Sequence, residues 1–380
     1  MDLIKEAYNI SEEIIEIRRR IHQNPEMGNQ EFETSALIEN YLKGLGLETS
    51  RPTETAVMGI LKGKAPGKTI GFRADMDALP VTENTGCSFA SKIQGRMHAC
   101  GHDVHTSGLL GAAKLLSLHK DELKGNVRFF FEPDEEGEGG AERMVKAGCM
   151  EGASAAYGAH VSPALPLGTV GVRFGKFYAA SHKFNVTVKG KSAHGAEPEK
   201  GIDALSAACE MVQALKKLPA GFPKGEAVLS VGTFNSGTAR NIISDKAEFT
   251  GIIRTLGKDV REGMIDAFNK TINEISSRYG TVCEVKIFSS HYGITNTDKE
   301  TRLAEEAFKT LPGIKVVEIE EPTLTSEDFG FFADAAGAGS FYHIGAGSSY
   351  PLHSDKFLPD DKAALYAAAC HAAVALKELS

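Results

Sequence analysis

From residue 182 to residue 290 the apolar pattern runs strand, helix, strand, strand, helix, strand, and this order constrains the fold more than any other feature of the chain. The segment 182–190 sets Phe184, Val186 and Val188 against polar neighbours, the period-two pattern of a half-exposed strand. Helical spacing follows at 203–217, strand patterns at 226–234 and 246–255, a helix at 259–278 and a strand at 281–288. The β-α-β-β-α-β order is the ferredoxin-like motif. A stretch of about a hundred residues is enough for a small domain of its own.

The flanks have a different character. Ile10, Ile14, Ile17 and Ile21 recur at helical spacing with Ser11 as the expected N-cap, and Leu37, Ile38, Tyr41, Leu42 and Leu45 form a second helical face stopped by Gly44 and Gly46. Segments 68–74 and 126–131 are short apolar runs of the kind found in interior strands of a mostly parallel sheet, with a helix at 106–118 between them. A strand at 155–159 ends at His160. Past residue 290, helices are expected at 299–310, 327–335 and 360–379, with strands near 314–319 and 340–344. The chain therefore reads as one α/β domain, residues 1–181 and 291–380, interrupted by an inserted small domain, residues 182–290. Its 380 residues suit about two domains.

Charge and cysteine usage narrow the function. Lys plus Arg number 42 and Asp plus Glu 50, a formal net charge of −8, which argues against a nucleic-acid partner. No apolar run approaches the ~18 residues of a membrane helix. The opening Met1-Asp2-Leu3-Ile4-Lys5-Glu6 has no apolar core of an export signal, so a cytoplasmic location is expected. The six cysteines are too sparse for a disulfide scaffold, so a functional one is expected to be a ligand or a nucleophile.

Most of the chemistry falls at strand and helix ends. His98-Ala99-Cys100-Gly101-His102-Asp103-Val104-His105 packs three histidines, a cysteine and an aspartate just before an apolar helix. Thiolate and imidazole suit Zn²⁺ and related ions, although a polar capping loop has the same composition. Glu132-Pro133-Asp134-Glu135-Glu136-Gly137 follows the strand 126–131, where sites of α/β sheets gather. One carboxylate of such a pair can ligate while its neighbour moves a proton; the same run also fits a solvated acidic loop. Arg73-Ala74-Asp75-Met76-Asp77 closes the strand 68–74, a position from which an aspartate can orient an imidazole. His160 and His353 lie at the end of one strand and in the loop before the last helix. If these segments converge, Cys100, His102, Glu136, His160 and His353 could hold two divalent ions with one donor shared.

MHACGHDVHT (97–106), RADMDALP (73–80), Glu135-Glu136, GAH (158–160), GKSAHGAEP (190–198), TSEDF (325–329) and LHSDKF (352–357) together resemble the aminoacylase/carboxypeptidase G family of metallo-amidohydrolases, in its cysteine-containing branch. RRRIHQNPEMGNQEFET (18–34) resembles the same branch. The resemblance implies a mixed-sheet, di-metal catalytic domain with an inserted ferredoxin-like lid that also dimerises. It implies that Cys100 bridges two metals, that His102 and His160 complete one site and Glu136 and His353 the other, and that Glu135 is the general base. Asp77 matches the family's aspartate behind the ligands, His194 an oxyanion donor acting within the chain or across a dimer, and Asn241 a substrate contact. Gly345-Ala346-Gly347 is expected to let substrate approach the backbone. Asp75 stands where better-known members carry histidine, so the implied ions range over Zn²⁺, Mn²⁺, Co²⁺ and Ni²⁺.

The expected reaction is hydrolysis of an N-acyl amino acid to a carboxylic acid and a free amino acid. A dipeptidase or carboxypeptidase with the same machinery is the nearest alternative. Two further readings are a cysteine hydrolase using Cys100 with His102 or His105 as base, and a metal-loaded binding protein without turnover. The first leaves Glu135, Glu136 and His353 without a purpose, and the second has no use for Glu135.

Overall fold

Strand-forming runs on both sides of the insert meet in a single eight-stranded sheet. In the computed structural model, which describes the backbone of residues 1–380 and the side chains of all but 289–291, its order is Glu48–Ser50, Val57–Lys62, Lys124–Glu132, Ala65–Asp75, Ala153–Ser162, Gly339–Gly345, Thr169–Val172, Lys315–Glu318. The four central strands, from Lys124–Glu132 to Gly339–Gly345, are mutually parallel, while the pairings of Val57–Lys62 with Lys124–Glu132 and of Gly339–Gly345 with Thr169–Val172 are antiparallel. The sheet is mixed, as the resemblance implies, with four of its seven pairings parallel. The strands Glu48–Ser50 and Thr169–Val172 have too few residues to show a period, and Val57–Lys62 is a near-continuous apolar run, VMGIL, without polar alternation.

Fully buried Phe72, Phe129, Phe131, Tyr157 and Tyr342 form the core with the helices His102–Leu118 and Lys362–Leu379. Helix Ser11–Gln23 packs on His102–Leu118, with Ile14 beside Gly111, and it buries both Ile14 and Ile21, two of the positions its spacing singles out. Ser11 is the first residue of that helix and not its cap: Ile10 holds the cap position and makes no side-chain hydrogen bond. The strand expected at 155–159 continues to Ser162, so His160 sits inside it, opposite His343.

The chain forms two compact units, Met1–Gly175 with Thr295–Glu321 and Asp328–Ser380, and Lys176–Ile294 with Pro322–Glu327. Within the second unit the strands Val282–His291, Gly175–Lys189, Lys246–Thr255 and Ala227–Ser236 lie side by side in that order, each pairing antiparallel. Numbered along the chain this is 4-1-3-2, the ferredoxin-like arrangement. Helices Ala204–Leu215 and Lys258–Tyr279 bury Ala207, Met211, Met264, Phe268 and Ile272 with Phe184, Val186, Val188, Phe249 and Ile253 of the sheet. Asp203 caps the first of these helices by accepting from Ser206 N at 3.0 Å. The strand that opens this unit starts seven residues before 182. Residues 177–182 are all buried, so the alternation that marks a half-exposed strand begins only at Lys183.

His371 shows how the core of the first unit responds to pH. It lies in helix Lys362–Leu379, Tyr342 Oη–H donates to its Nδ1 at 2.6 Å, and burial lowers its pKa to about 3. A histidine depressed in the folded state stays neutral there while the unfolded chain takes up a proton below about 6.5, so stability is lost as pH falls from that value. The slope approaches about 1.4 kcal/mol per pH unit for one such group. His371→Gln, which keeps an acceptor for Tyr342, is expected to lose less stability than the parent between pH 7 and pH 5; urea midpoints of both proteins at the two pH values measure the difference.

Candidate metal centre

The parallel strands bring their carboxyl ends to one edge of the sheet, and the polar residues gather there. Asp75 ends the strand Ala65–Asp75 and lies in register with Glu132 at the end of Lys124–Glu132. The buried Arg73 guanidinium binds Asp75 Oδ2 at 2.8 Å, Glu132 Oε2 at 2.6 Å and Asp328 Oδ1 at 2.9 Å, tying the two strand ends to the segment before helix Gly330–Ala336. Asp328 Oδ2 also accepts from Ala141 N at 3.2 Å. Beyond Glu132 the chain turns through Asp134, whose φ of 62° is left-handed and whose carboxylate accepts from Asn29 Nδ2 at 2.7 Å and lies 3.1 Å from Arg143. That clamp shapes the loop which presents Glu135 and Glu136.

Gly101 forms the turn into helix His102–Leu118. Its φ is 92°, and a Cβ there would lie 2.4 Å from Val161 Cγ2, so only glycine lets Cys100 and His102 face the same space. Cys100 Sγ stands 3.3 Å from His160 Nε2, and the His160 Nδ1–H donates to Val161 O at 2.7 Å. His102 Nδ1–H donates to Asp77 Oδ1 at 3.1 Å, while Asp77 Oδ2 accepts from Glu136 N at 3.1 Å. Asp77 thereby fixes one imidazole and the backbone of the acidic loop together. His353 Nε2 is 3.0 Å from Glu136 Oε1, and its N–H donates to Ala99 O at 2.8 Å, which joins the loop before the last helix to the segment carrying Cys100.

Donor atoms of Cys100, His102 and His160 lie within 4.8 Å of one another, and so do those of Cys100, Glu136 and His353. Cys100 belongs to both triples. A further triple, His102, Glu135 and Glu136, places the remaining carboxylate against the same imidazole, with Glu135 Oε2 4.0 Å from His102 Nε2. All five candidate donors named from the sequence, together with Asp77 and Glu135, are therefore brought together.

Electrostatics show what the cluster lacks. Burial opposes a charge on His102, yet Asp75, Asp77 and Glu136 outweigh it and raise its pKa to about 10. Burial with the charges of Glu136, Glu135 and Asp75 pushes the Cys100 thiol well above its ordinary value. His160, depressed by burial and by His105, stays neutral with its Nε2 lone pair toward Cys100. The His102 Nε2, buried and without a hydrogen-bond partner, faces the same space. An electron-rich pocket of one thiol, three imidazoles and two carboxylates fits divalent cations, which supply the missing positive charge and displace the protons. A nucleophilic cysteine needs the opposite shift. His105 is also unsuited to be a base: its Nδ1–H donates to Asp75 Oδ1 at 2.6 Å and its Nε2 accepts from Val161 N at 2.8 Å.

In the second unit, His194 and Asn241 are neighbours. The two-residue strand Ala193–His194 pairs with Ile242–Ile243, His194 opposite Ile242, and Gly195 N donates to Asn241 O at 2.8 Å. The His194 side chain is exposed. At Gly345 a Cβ would lie 1.9 Å from Pro166 O, so packing of the chain itself requires glycine there. Sequence reasoning missed Asp75 as the anchor of His105, and the Arg73–Asp328 pair. The TSEDF segment was the available signal for the second.

Residues 71–377 match Peptidase family M20/M25/M40. The chain is 40% identical over 392 residues to thermostable carboxypeptidase 2 of Saccharolobus solfataricus, covering 99% of both. It is 36% identical over 362 residues to the N-acetyl-L-cysteine deacetylase of Bacillus subtilis, covering 94% of this chain and 86% of that one. A solved Bacillus subtilis structure, described as a dinuclear metal-binding peptidase of family M20, superposes with a TM-score of 0.86 at 34% identity, covering 98% of this chain and 99% of the other. The chain belongs to Peptidase family M20/M25/M40 and is a hydrolase acting on amide bonds.

Gly101→Ala tests the turn that aims the cluster. Left-handed strain and the overlap with Val161 together are expected to cost about 2–4 kcal/mol, read as a fall in thermal midpoint with weaker zinc binding in a chelator competition.

Proposed function

We propose that the protein hydrolyses N-acyl amino acids at a pair of divalent ions held by the cluster at the strand ends. The observation that carries this reading is the sharing of Cys100 Sγ by two donor triples, with Glu135 beside them. Cys100, His102 and His160 would hold one ion, and Cys100, Glu136 and His353 the other. Asp77 stands behind, holding His102 by Nδ1 and the Glu136 backbone by its second oxygen, the kind of outer contact that orients ligands. Thiolate and imidazole favour Zn²⁺ within the set Zn²⁺, Mn²⁺, Co²⁺ and Ni²⁺.

Such ions, when bound, supply the Lewis acidity that makes water a nucleophile at neutral pH and polarises a carbonyl. The rest falls to side chains. Glu135 takes a proton from the attacking water as oxygen adds to the amide carbon, then passes that proton to the nitrogen as the C–N bond breaks. His194 donates to the oxyanion that develops on the carbonyl oxygen, a contribution of about 3 kcal/mol for donors of this kind. Asn241, its neighbour across the short strand pair, contacts the substrate. The products are a carboxylic acid and a free amino acid.

The deacetylase relative, which acts on N-acetyl-L-cysteine by its name, supports an N-acyl amino acid. The carboxypeptidase relative supports a second reading, release of a C-terminal residue from a peptide by the same steps. In the inserted unit, the edge strand Ala227–Ser236 leaves Val228 and Phe234 exposed, which supports dimerisation through this edge. All six cysteines are free thiols, in keeping with a reducing cytoplasm. Among the described residues no helix is long and apolar enough to cross a membrane.

The first test is elemental analysis of purified protein, followed by assay of the metal-replete enzyme on acetyl-, benzoyl- and indole-acetyl-amino acids beside unblocked dipeptides. Turnover confined to dipeptides favours the peptidase reading; silence on the whole panel ends the amidohydrolase assignment. Glu135→Gln is expected to keep its metal and lose turnover by about 10²–10⁴-fold, and near-parental kcat in this variant would falsify the base role. Cys100→Ser is expected to lose metal and activity together, so full occupancy in the variant would remove the bridge.

A further inference from the structure

Residues 80–99 run almost without regular structure into Cys100, and a buried polar junction ties this segment to helix Ser11–Gln23. His22, with no exposed side-chain surface, donates from Nδ1–H to Asp103 Oδ2 at 2.8 Å. Asp103 also accepts from Arg18 Nε at 2.7 Å, which fixes the carboxylate and through it the ring. The other ring nitrogen, Nε2, faces Glu83 Oε1 at 3.3 Å, and Cys87 Sγ stands 3.8 Å from that same oxygen. Glu83 is itself held in place: Ser91 N donates to its Oε2 at 2.6 Å, and the Thr85 hydroxyl donates to Oε1.

We propose that His22 Nε2, Glu83 Oε1 and Cys87 Sγ form a structural binding site for a Zn²⁺-like divalent ion, separate from the cluster around Cys100. Three observations carry it. The three donor atoms lie within 4.8 Å of one another, on side chains anchored by other contacts. Donors at ordinary zinc distances in tetrahedral geometry stand about 3.3–3.7 Å apart; the His22–Glu83 separation of 3.3 Å has that spacing and the Cys87–Glu83 separation of 3.8 Å is slightly wider. The hydrogen bond to Asp103 is the carboxylate–imidazole support that metal-bound histidines characteristically carry. His22 and Glu83 are paired as imidazolium and carboxylate, because Asp103 and Glu83 outweigh burial and raise the histidine to about 9; a divalent cation would take the place of the Nε2 proton between the same two side chains. One thiolate, one imidazole and one carboxylate make a borderline-soft set suited to Zn²⁺ and unsuited to Mg²⁺ or Ca²⁺.

Occupied, this site joins the N-terminal helix to the 80–99 segment at the point where that segment leads into the catalytic donors. Its role is to hold the approach to Cys100 and His102, not to touch substrate.

The test counts ions. Full-length protein, stripped of metal and titrated with Zn²⁺ against a chromophoric chelator, is compared with Cys87→Ala treated in parallel. The variant is expected to bind one equivalent fewer and to keep its hydrolase activity. In the parent, zinc is expected to slow alkylation of Cys87, located by peptide mapping, by about tenfold or more, and Glu83→Gln is expected to lose that protection. Equal stoichiometry in parent and Cys87→Ala, or alkylation of Cys87 at the same rate with and without zinc, overturns the site. A defect in the catalytic cluster lowers both counts alike and leaves their difference untouched, so the two assignments fail separately.

Discussion

Buried negative charge must be matched by positive charge, and at the carboxyl ends of the central strands this requirement organises the first unit. Asp75, Glu132 and Asp328 converge on the single guanidinium of Arg73, which holds two strand ends and a distant segment in one place. A few ångströms on, Asp75, Asp77, Glu135 and Glu136 crowd around His102 and Cys100, and no arginine or lysine is paired with Glu136 or Asp77 there among the described residues. Where Arg73 stands the charge is settled by the chain. Around Cys100 a proton on His102, raised by Asp75, Asp77 and Glu136, answers part of it, while the Cys100 thiol is kept neutral. The framework is rigid on one side and electrostatically incomplete on the other, which is what a site for divalent cations requires.

Local clusters were readable from the sequence because a few adjacent residues carried them. His98 to His105 and Glu132 to Gly137 announce polar chemistry by composition, and their position after strand patterns places them at one edge of a sheet. The division of labour among the three histidines was not readable. His102 and His105 are a turn apart on the same helix, and only the fold shows that one keeps a lone pair open while the other is closed off by Asp75 and Val161 N. His98, fully buried, is held neutral with a pKa of about 3. Gly345, at the end of its strand, is a glycine that the approach of Pro166 O requires, which no local pattern could show.

The inserted unit repeats the lesson at the level of elements. Its order of strands and helices was legible because each long strand alternates and each helix has a clear apolar face, as Phe184, Val186 and Val188 show. Its beginning was obscured where residues 177–182 are buried on both faces and alternation disappears. The pairing of Ala193–His194 with Ile242–Ile243 involves two residues on each side, too short for any periodic signal, yet it sets His194 beside Asn241.

The place of Gly339–Gly345 in the sheet bears on how the molecule is made. That strand lies between Ala153–Ser162 and Thr169–Val172, so Thr169–Val172 has both of its neighbours, Gly339–Gly345 and Lys315–Glu318, on the far side of the insert. As the chain emerges during synthesis, the four long strands of the inserted unit are available once residue 291 has appeared, with only its remainder to Ile294 and the short Pro322–Glu327 still to come, and domains tend to fold as units. The sheet that starts the chain must wait with a gap beside Ala153–Ser162 until residue 345 arrives, and His353 follows later still. The unit begun first is finished last, and a ribosome-bound chain acquires most of its insert before the cluster around Cys100 gains His353.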